Sequence, residues 1–225
     1  MNILALDTST EQCSVALLRG DQTTRRSLHA GQRHSTMILP MVREVLEEAK
    51  LTLAHLSGIA FGAGPGSFTG LRIACGVAQG LAFGAGIGVA PIGTLRALAE
   101  AARGARVIAC LDARMGEIYH AAYQLGPEGW QEISAPIVCA ADQAPILPGG
   151  NWTGCGSGFR LYAEVLERRY AGQLEATRPD LLPDAREIAR LALPVFRAGA
   201  GCAAELASPL YVRNNVALKS VEPPG

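Results

Sequence analysis

Three oxygen-bearing side chains, Asp7, Thr8 and Thr10, fall together where the apolar run at residues 3–7 gives way to TSTEQ. A carboxylate and two hydroxyls on a hairpin tip are the groups that meet a nucleotide phosphate; they also satisfy a tight turn by themselves. A second candidate is GAGPGSFTGLRIACGVAQGLAFG, residues 62–84, which reads as a strand end, a turn and a helix starting near Ser67. Gly64, Pro65 and Gly66 allow a sharp reversal, and the Ser67 hydroxyl can cap the first helical turn. As a nucleotide loop the stretch fails two patterns. No Lys-Ser/Thr follows the glycines, and Ser67 stands where the Rossmann pattern has its third Gly, with no acid at the expected distance beyond.

Other chemistries find little support. Ser67 lies between Pro65 and Thr69, and Ser157 between Cys155 and Phe159, where a nucleophile elbow needs glycines. His29, His34, His55 and His120 form no pair at metal spacing, and the six cysteines are scattered singly, as buried reduced thiols are. Asp112, Arg114 and Glu117 could make a polar site, and a turn with a local ion pair explains them equally well. What emerges is a nucleotide-type scaffold without obvious catalytic residues.

The elements that must hold these residues follow from periodicity. Residues 13–20 return antiparallel to 3–7, and 23–29 add a third strand. The segment 34–50 is an amphipathic helix with Met37, Ile38, Met41, Val42, Val45 and Leu46 on one side; His34 at its start reads as a capping or exposed residue. Strand 57–62 leads into the helix of residues 67–84, whose large polar side chains, Arg72 and Gln79, stand seven apart on one seam. Small residues form two rows there, Gly70, Ala74, Ala78 and Ala82, and Gly76, Gly80 and Gly84. One row suits the chain's own sheet, and the other asks for a second helix. A short strand at 88–91 follows, with Thr94 as the cap of a further helix.

Residues 107–124 repeat the plan of the N-terminus: an apolar strand ending in Leu-Asp, a polar turn and a returning strand, with Asp112 in the place of Asp7. This predicts two lobes of like topology, residues 1–104 and 105–205, the first completed by residues 206–225. Asp184 with Glu187 opens the last helix in the manner of a capping box, and residues 210–212 have strand character before the polar cluster Arg213, Asn214 and Asn215.

The formal charge of zero offers no basic footprint for nucleic acid. The charge-free run 73–95 is diluted by six glycines and interrupted by Pro91, which argues against a membrane span, and the N-terminal residues lack a leader pattern, which predicts a cytoplasmic protein.

Taken in order, ILALDTSTEQCSVALL, HSTMILPMV, GPGSFTGLRI with its Gly/Ala helix, LDARMGEIYHAAY and PLYVRNNVA together resemble the TsaB (YeaZ) family. The resemblance spans nearly the whole chain. It implies an α/β actin, sugar kinase and Hsp70-like (ASKHA) fold and a non-catalytic role in tRNA threonylcarbamoyladenosine synthesis. There a related subunit, TsaD, transfers the threonylcarbamoyl group to the adenosine beside the anticodon, and an ATPase, TsaE, engages the complex. A homodimer in isolation is implied too, and the neutral charge predicts that tRNA contact is indirect, through the partners. The implied partner surface comprises His34, Met37, Ile38, Met41, Val45, Gly70, Arg72, Ala74 and Ala78. TsaD's His-x-x-x-His metal pair is replaced here by Thr94 and Leu98, so no metal is expected. No cofactor of this chain's own is implied, with weak ATP or ADP contact through Asp7, Thr8 and Thr10 allowed at the boundary with the partner. The alternative is an autonomous nucleotide hydrolase or kinase on the same fold. A peptidase, a label once attached to relatives of this fold, lacks its nucleophile or metal pair.

Overall fold

The computed structural model describes residues 1–212. The first sheet is built from β1 (Asn2–Asp7), β2 (Gln12–Arg19), β3 (Gln22–His29), β4 (Gly58–Gly64) and β5 (Val89–Gly93), in the order β3-β2-β1-β4-β5. β1, β2 and β3 are antiparallel neighbours, whereas β4 and β5 join in parallel. The second sheet comprises β6 (Arg106–Arg114), β7 (Glu117–Gly126), β8 (Gly129–Ala140), β9 (Trp152–Cys155) and β10 (Leu174–Arg178). Its order, β8-β7-β6-β9-β10, follows the same path, again with three antiparallel strands and two parallel additions. The duplication read from Asp7 and Asp112 is thus present in the hydrogen bonding of both sheets.

Both faces of the first sheet are covered. Because side chains alternate along a strand, Leu4 and Leu6 of β1 enter a core with α1 (His34–Glu48) and α2 (Phe68–Ala85). Ile3 and Ala5 enter the opposite core, with α6 (Ala185–Arg197) and Ala97 of α3 (Thr94–Ala102). Leu95, Leu98 and Ala99 of α3 pack instead with Val107, Ala109 and Leu111 of the second sheet, so α3 is shared between the lobes. The far face of the second sheet holds Ile108 and Cys110 against Phe159 of α4 (Ser157–Leu161) and Leu166 of α5 (Ala163–Arg169).

Several expectations need correction. α6 lies on the first sheet, with the Phe196 ring where a Cβ on Gly58 would stand 2.3 Å away. The return to the first lobe therefore begins at Asp184, inside the span assigned to the second. Thr94 does not cap α3; Gly93 holds that position, and the Thr94 hydroxyl accepts the Gly64 amide at 2.9 Å. Residues 210–212 form no strand, although the Leu210 amide donates to Ala63 O at 2.7 Å. The cluster Arg213, Asn214 and Asn215 lies outside the described residues, within which no helix is long and apolar enough to cross a membrane.

Candidate functional site

The tip between β1 and β2 is packed against the start of α2. Thr8 Oγ1 donates to Gly70 O at 2.6 Å, and the Ser67 amide donates to Ser9 O at 2.7 Å. The two backbones approach so closely that a Cβ on Gly70 would stand 1.8 Å from Thr8 O, and one on Gly66 2.5 Å from Ser9 O. This close approach is the local reason for glycine at both positions. Asp7 and Thr8 are fully buried, while Thr10 is half-buried and uses its hydroxyl to accept the Gln12 amide at 3.3 Å. The tip is held mainly from outside itself, by Thr8 and Ser9 on the start of α2, with Thr10 closing locally on Gln12. Asp7 and Thr8 present no oxygen to the surface.

Burial of Asp7 has an electrostatic consequence. Desolvation pushes its pKa up from 3.8 to about 7, helped by the Asp184 charge and opposed by the Ser9 hydroxyl and amide. The folded carboxyl therefore stays neutral where the unfolded one ionises. Its contribution to stability is full below about pH 4 and is lost as the pH rises through about 7. Asp7→Asn, which keeps shape but cannot ionise, is expected to gain over the wild type between these limits, by up to about 4 kcal/mol at full ionisation. Denaturant unfolding of both proteins across that range checks this, and parallel stability curves would refute it.

The start of α6 is tied to the same region. Asp184 is the N-cap, accepting the Arg186 amide at 3.0 Å, and it also binds Arg25 and the Gln12 amide group. Glu187 does not complete a capping box: it is buried, with Oε1 on Arg186 at 2.9 Å and Oε2 without a hydrogen-bond partner.

α2 sorts its residues by face. Gly70, Ala74, Ala78 and Ala82 are buried in the chain's own core, as are Ile38, Met41 and Val45 of α1. His34 is buried as well, its Nε2 without a partner, so it is neither exposed nor a cap. All of these except Ala82 were expected at a partner surface, and the structure turns them inward because these sides of α1 and α2 cover β1, β2 and β4. Met37 is half-buried and Arg72 is exposed. The other row, Gly76, Gly80 and Gly84, has open space where each Cβ would be, and Phe83 beside it is 77% exposed. The open face of the helix is therefore not the one expected.

The polar seam of α2 has its own explanation. Gln79 donates to Ala207 O at 2.9 Å, and Arg72 Nε donates to the Tyr211 hydroxyl at 3.1 Å while its guanidinium lies 3.7 Å over the Phe68 ring. The C-terminal segment runs along the seam, bridged to β5 through Cys202 and Val89. Sequence periodicity marked Arg72 and Gln79 but could not reveal their partners, which lie more than a hundred residues away in the chain.

In the second lobe, the Asp112 carboxylate accepts the Arg114 amide at 3.0 Å and pairs with the Arg114 side chain at 3.2 Å, a local turn. His120 is buried against the Tyr170 hydroxyl at 2.9 Å, and burial lowers its pKa to about 4. No group of three or more His, Cys, Asp or Glu among the described residues is arranged to hold a metal ion.

Over residues 28–219 the chain matches the family model described as TsaD, tRNA N6-adenosine threonylcarbamoyltransferase. It is 37% identical to the tRNA threonylcarbamoyladenosine biosynthesis protein TsaB of Escherichia coli K12, covering 98% of both chains. With the TsaB protein of Haemophilus influenzae it shares 39% identity over 98% of this chain and 97% of that one. The chain belongs to the TsaB (YeaZ) family. YeaZ of Pseudomonas aeruginosa superposes with a TM-score of 0.86 at 38% identity, covering 93% of this chain and 99% of that structure. A further P. aeruginosa structure, described by its similarity to peptidase YEAZ, gives 0.87, also at 38% identity, over 94% and 99%. The duplicated sheets are the two-lobed α/β plan expected from the sequence. Thr94 and Leu98 are both fully buried, the first bonded to Gly64 and the second in the core between the lobes.

Proposed function

We propose that this chain is a non-catalytic subunit in tRNA threonylcarbamoyladenosine synthesis, acting by holding a TsaD-type transferase in working form. The observation that carries the reading is its similarity to TsaB proteins along the full length of those relatives. Three features of the chain support it. A TsaD-type subunit shares the family model that this chain matches, so two related folds can pack like faces in a pseudo-symmetric pair. The Gly76, Gly80 and Gly84 row gives the close approach that a helix of such a partner needs, and Phe83 supplies apolar contact beside it. The third is the closed hairpin tip. With Thr8 bonded to Gly70 and Asp7 buried, a nucleotide held by this chain alone lacks the oxygen ligands that an autonomous hydrolase or kinase would use.

A formal net charge of zero suits a subunit whose partners hold the tRNA, since phosphate binding draws on an excess of Lys and Arg. The test is reconstitution with a TsaD-type subunit, a TsaE-type ATPase, threonylcarbamoyl-adenylate and unmodified tRNA. Modification is expected to require this chain. Full modification without it, or turnover of ATP by the isolated chain that is lost in Asp7→Ala, would replace this reading with the hydrolase one.

A further inference from the structure

Among the described residues, no ion pair answers the charge of Asp7. Its Oδ2 accepts from the Ser9 hydroxyl at 3.0 Å, while Oδ1 points into a slot beside Gly62 and Ile188 and has no hydrogen-bond partner. A Cβ on Gly62 would stand 2.1 Å from that oxygen, so the carboxyl occupies the space the glycine leaves. From α6 the charged neighbours are Asp184, held by Arg25 and Gln12, and Glu187, held by Arg186. β2 contributes the Cys13 thiol, itself pushed up to about 11 by burial and by Asp7. β4 and the first turn of α2 bring glycines and a serine to the tip. An ionised carboxylate in this setting is strongly disfavoured, and it must either take a proton or move.

Ser9 makes such a movement consequential. Its hydroxyl donates to Asp7, and its carbonyl accepts the amide of Ser67, the N-cap of α2, at 2.7 Å. Thr8, next to Asp7, donates to Gly70 O. The two residues after Asp7 therefore hold the first turn of the helix, and displacement of the carboxyl reaches it through one intervening residue.

We propose that the Asp7 carboxyl is a proton-linked lock on the first turn of α2. Neutral, it fills the Gly62 slot and keeps Ser9 on the Ser67 amide; ionised, it leaves the slot and frees that turn. The lock belongs to this chain alone and goes beyond the partner-subunit reading, whose failure would leave it standing.

Amide hydrogen exchange of the full chain tests it, on peptides covering residues 62–72, at about pH 6 and about pH 8.5 with correction for intrinsic base-catalysed exchange. Given the raised pKa of about 7 in the closed form and 3.8 in the opened one, linkage makes opening about tenfold more favourable at the higher pH. The expected result is a fall of that size in protection of this turn in the wild type, absent from Asp7→Asn. Unchanged protection in the wild type, an equal fall in Asp7→Asn, or exchange of this turn only through global unfolding at both pH values would each overturn the lock. A further measurement uses no variant: an Asp7 carboxyl 13C resonance that titrates in the ordinary carboxylate range would overturn it too.

Discussion

Gly80→Trp is expected to abolish binding of a TsaD-type subunit while leaving the chain folded, with affinity reduced at least about a hundredfold, equivalent to about 2.7 kcal/mol. Gly80 is exposed, and a Cβ there meets nothing within 4 Å among the described residues, so a side chain leaves the helix there without a clash. Helix propensity even favours the change slightly, since glycine is the weakest helix former after proline. In a complex whose partner helix crosses this row, the ring occupies the partner's backbone position. Ala78→Trp, two residues earlier on the inward row, is expected to behave differently. Ala78 is fully buried between α2 and the first sheet, and overpacking of that size exceeds the roughly 1–3 kcal/mol typical of an added methylene or two. It should unfold the chain and lose binding for that reason. Calorimetric titration with the TsaD-type subunit, paired with thermal melts, separates the two. Undiminished affinity of a folded Gly80→Trp would remove the α2 face from the proposed interface.

Asp184→Ala is expected to be the most damaging single truncation of a polar side chain, costing about 3 kcal/mol. The residue caps α6 and accepts from Arg25 Nε at 2.8 Å and Gln12 Nε2 at 2.9 Å, with its own side chain only 7% exposed. Arg25 is more open, 36% exposed, so water recovers part of what it loses and its share is modest. The effect spreads because α6 covers one entire face of the first sheet through Ala185, Ile188, Ala189 and Ala192. Against a typical domain stability of about 5–15 kcal/mol this is a large fraction. Asp184→Asn keeps a capping oxygen and is expected to lose about half as much. Urea denaturation of the three proteins checks the order, and a loss below about 1 kcal/mol for the alanine variant would show that neighbouring groups replace the cap.

Much of the fold is readable along the chain because local rules and tertiary contacts agree there. β1, β2 and β6 are apolar runs bounded by polar turns, which is enough to place them with the strands that return beside them, and the repeated Leu-Asp reveals the duplication. α1 and α2 are likewise legible from apolar spacing and the Gly-Pro-Gly-Ser turn. Failures cluster where a side chain has two competing uses. Thr94 has the chemistry of a cap, but its hydroxyl receives the Gly64 amide from a strand thirty residues earlier. His34 looks like an exposed polar helix start, yet the turn of α1 carries it inward. Glu187 has the spacing of a capping box, and Arg186 takes its carboxylate instead.

Family membership and the two-lobed duplicated plan were determined by the sequence alone, since both rest on residue order and on periodicities of two and 3.6 that survive any particular packing. Which row of α2 faces outward was decided only in three dimensions. Gly70, Ala74 and Ala78 resemble Gly76, Gly80 and Gly84 in size, and small residues carry no sign of what they approach. Only the sheet beneath and the C-terminal segment alongside distinguish the two rows, by burying the first and leaving the second open. The hairpin tip shows the same limit. Asp7, Thr8 and Thr10 have a ligand's chemistry in the sequence, and the approach of the α2 turn, to within the space a glycine leaves, turns the first two inward.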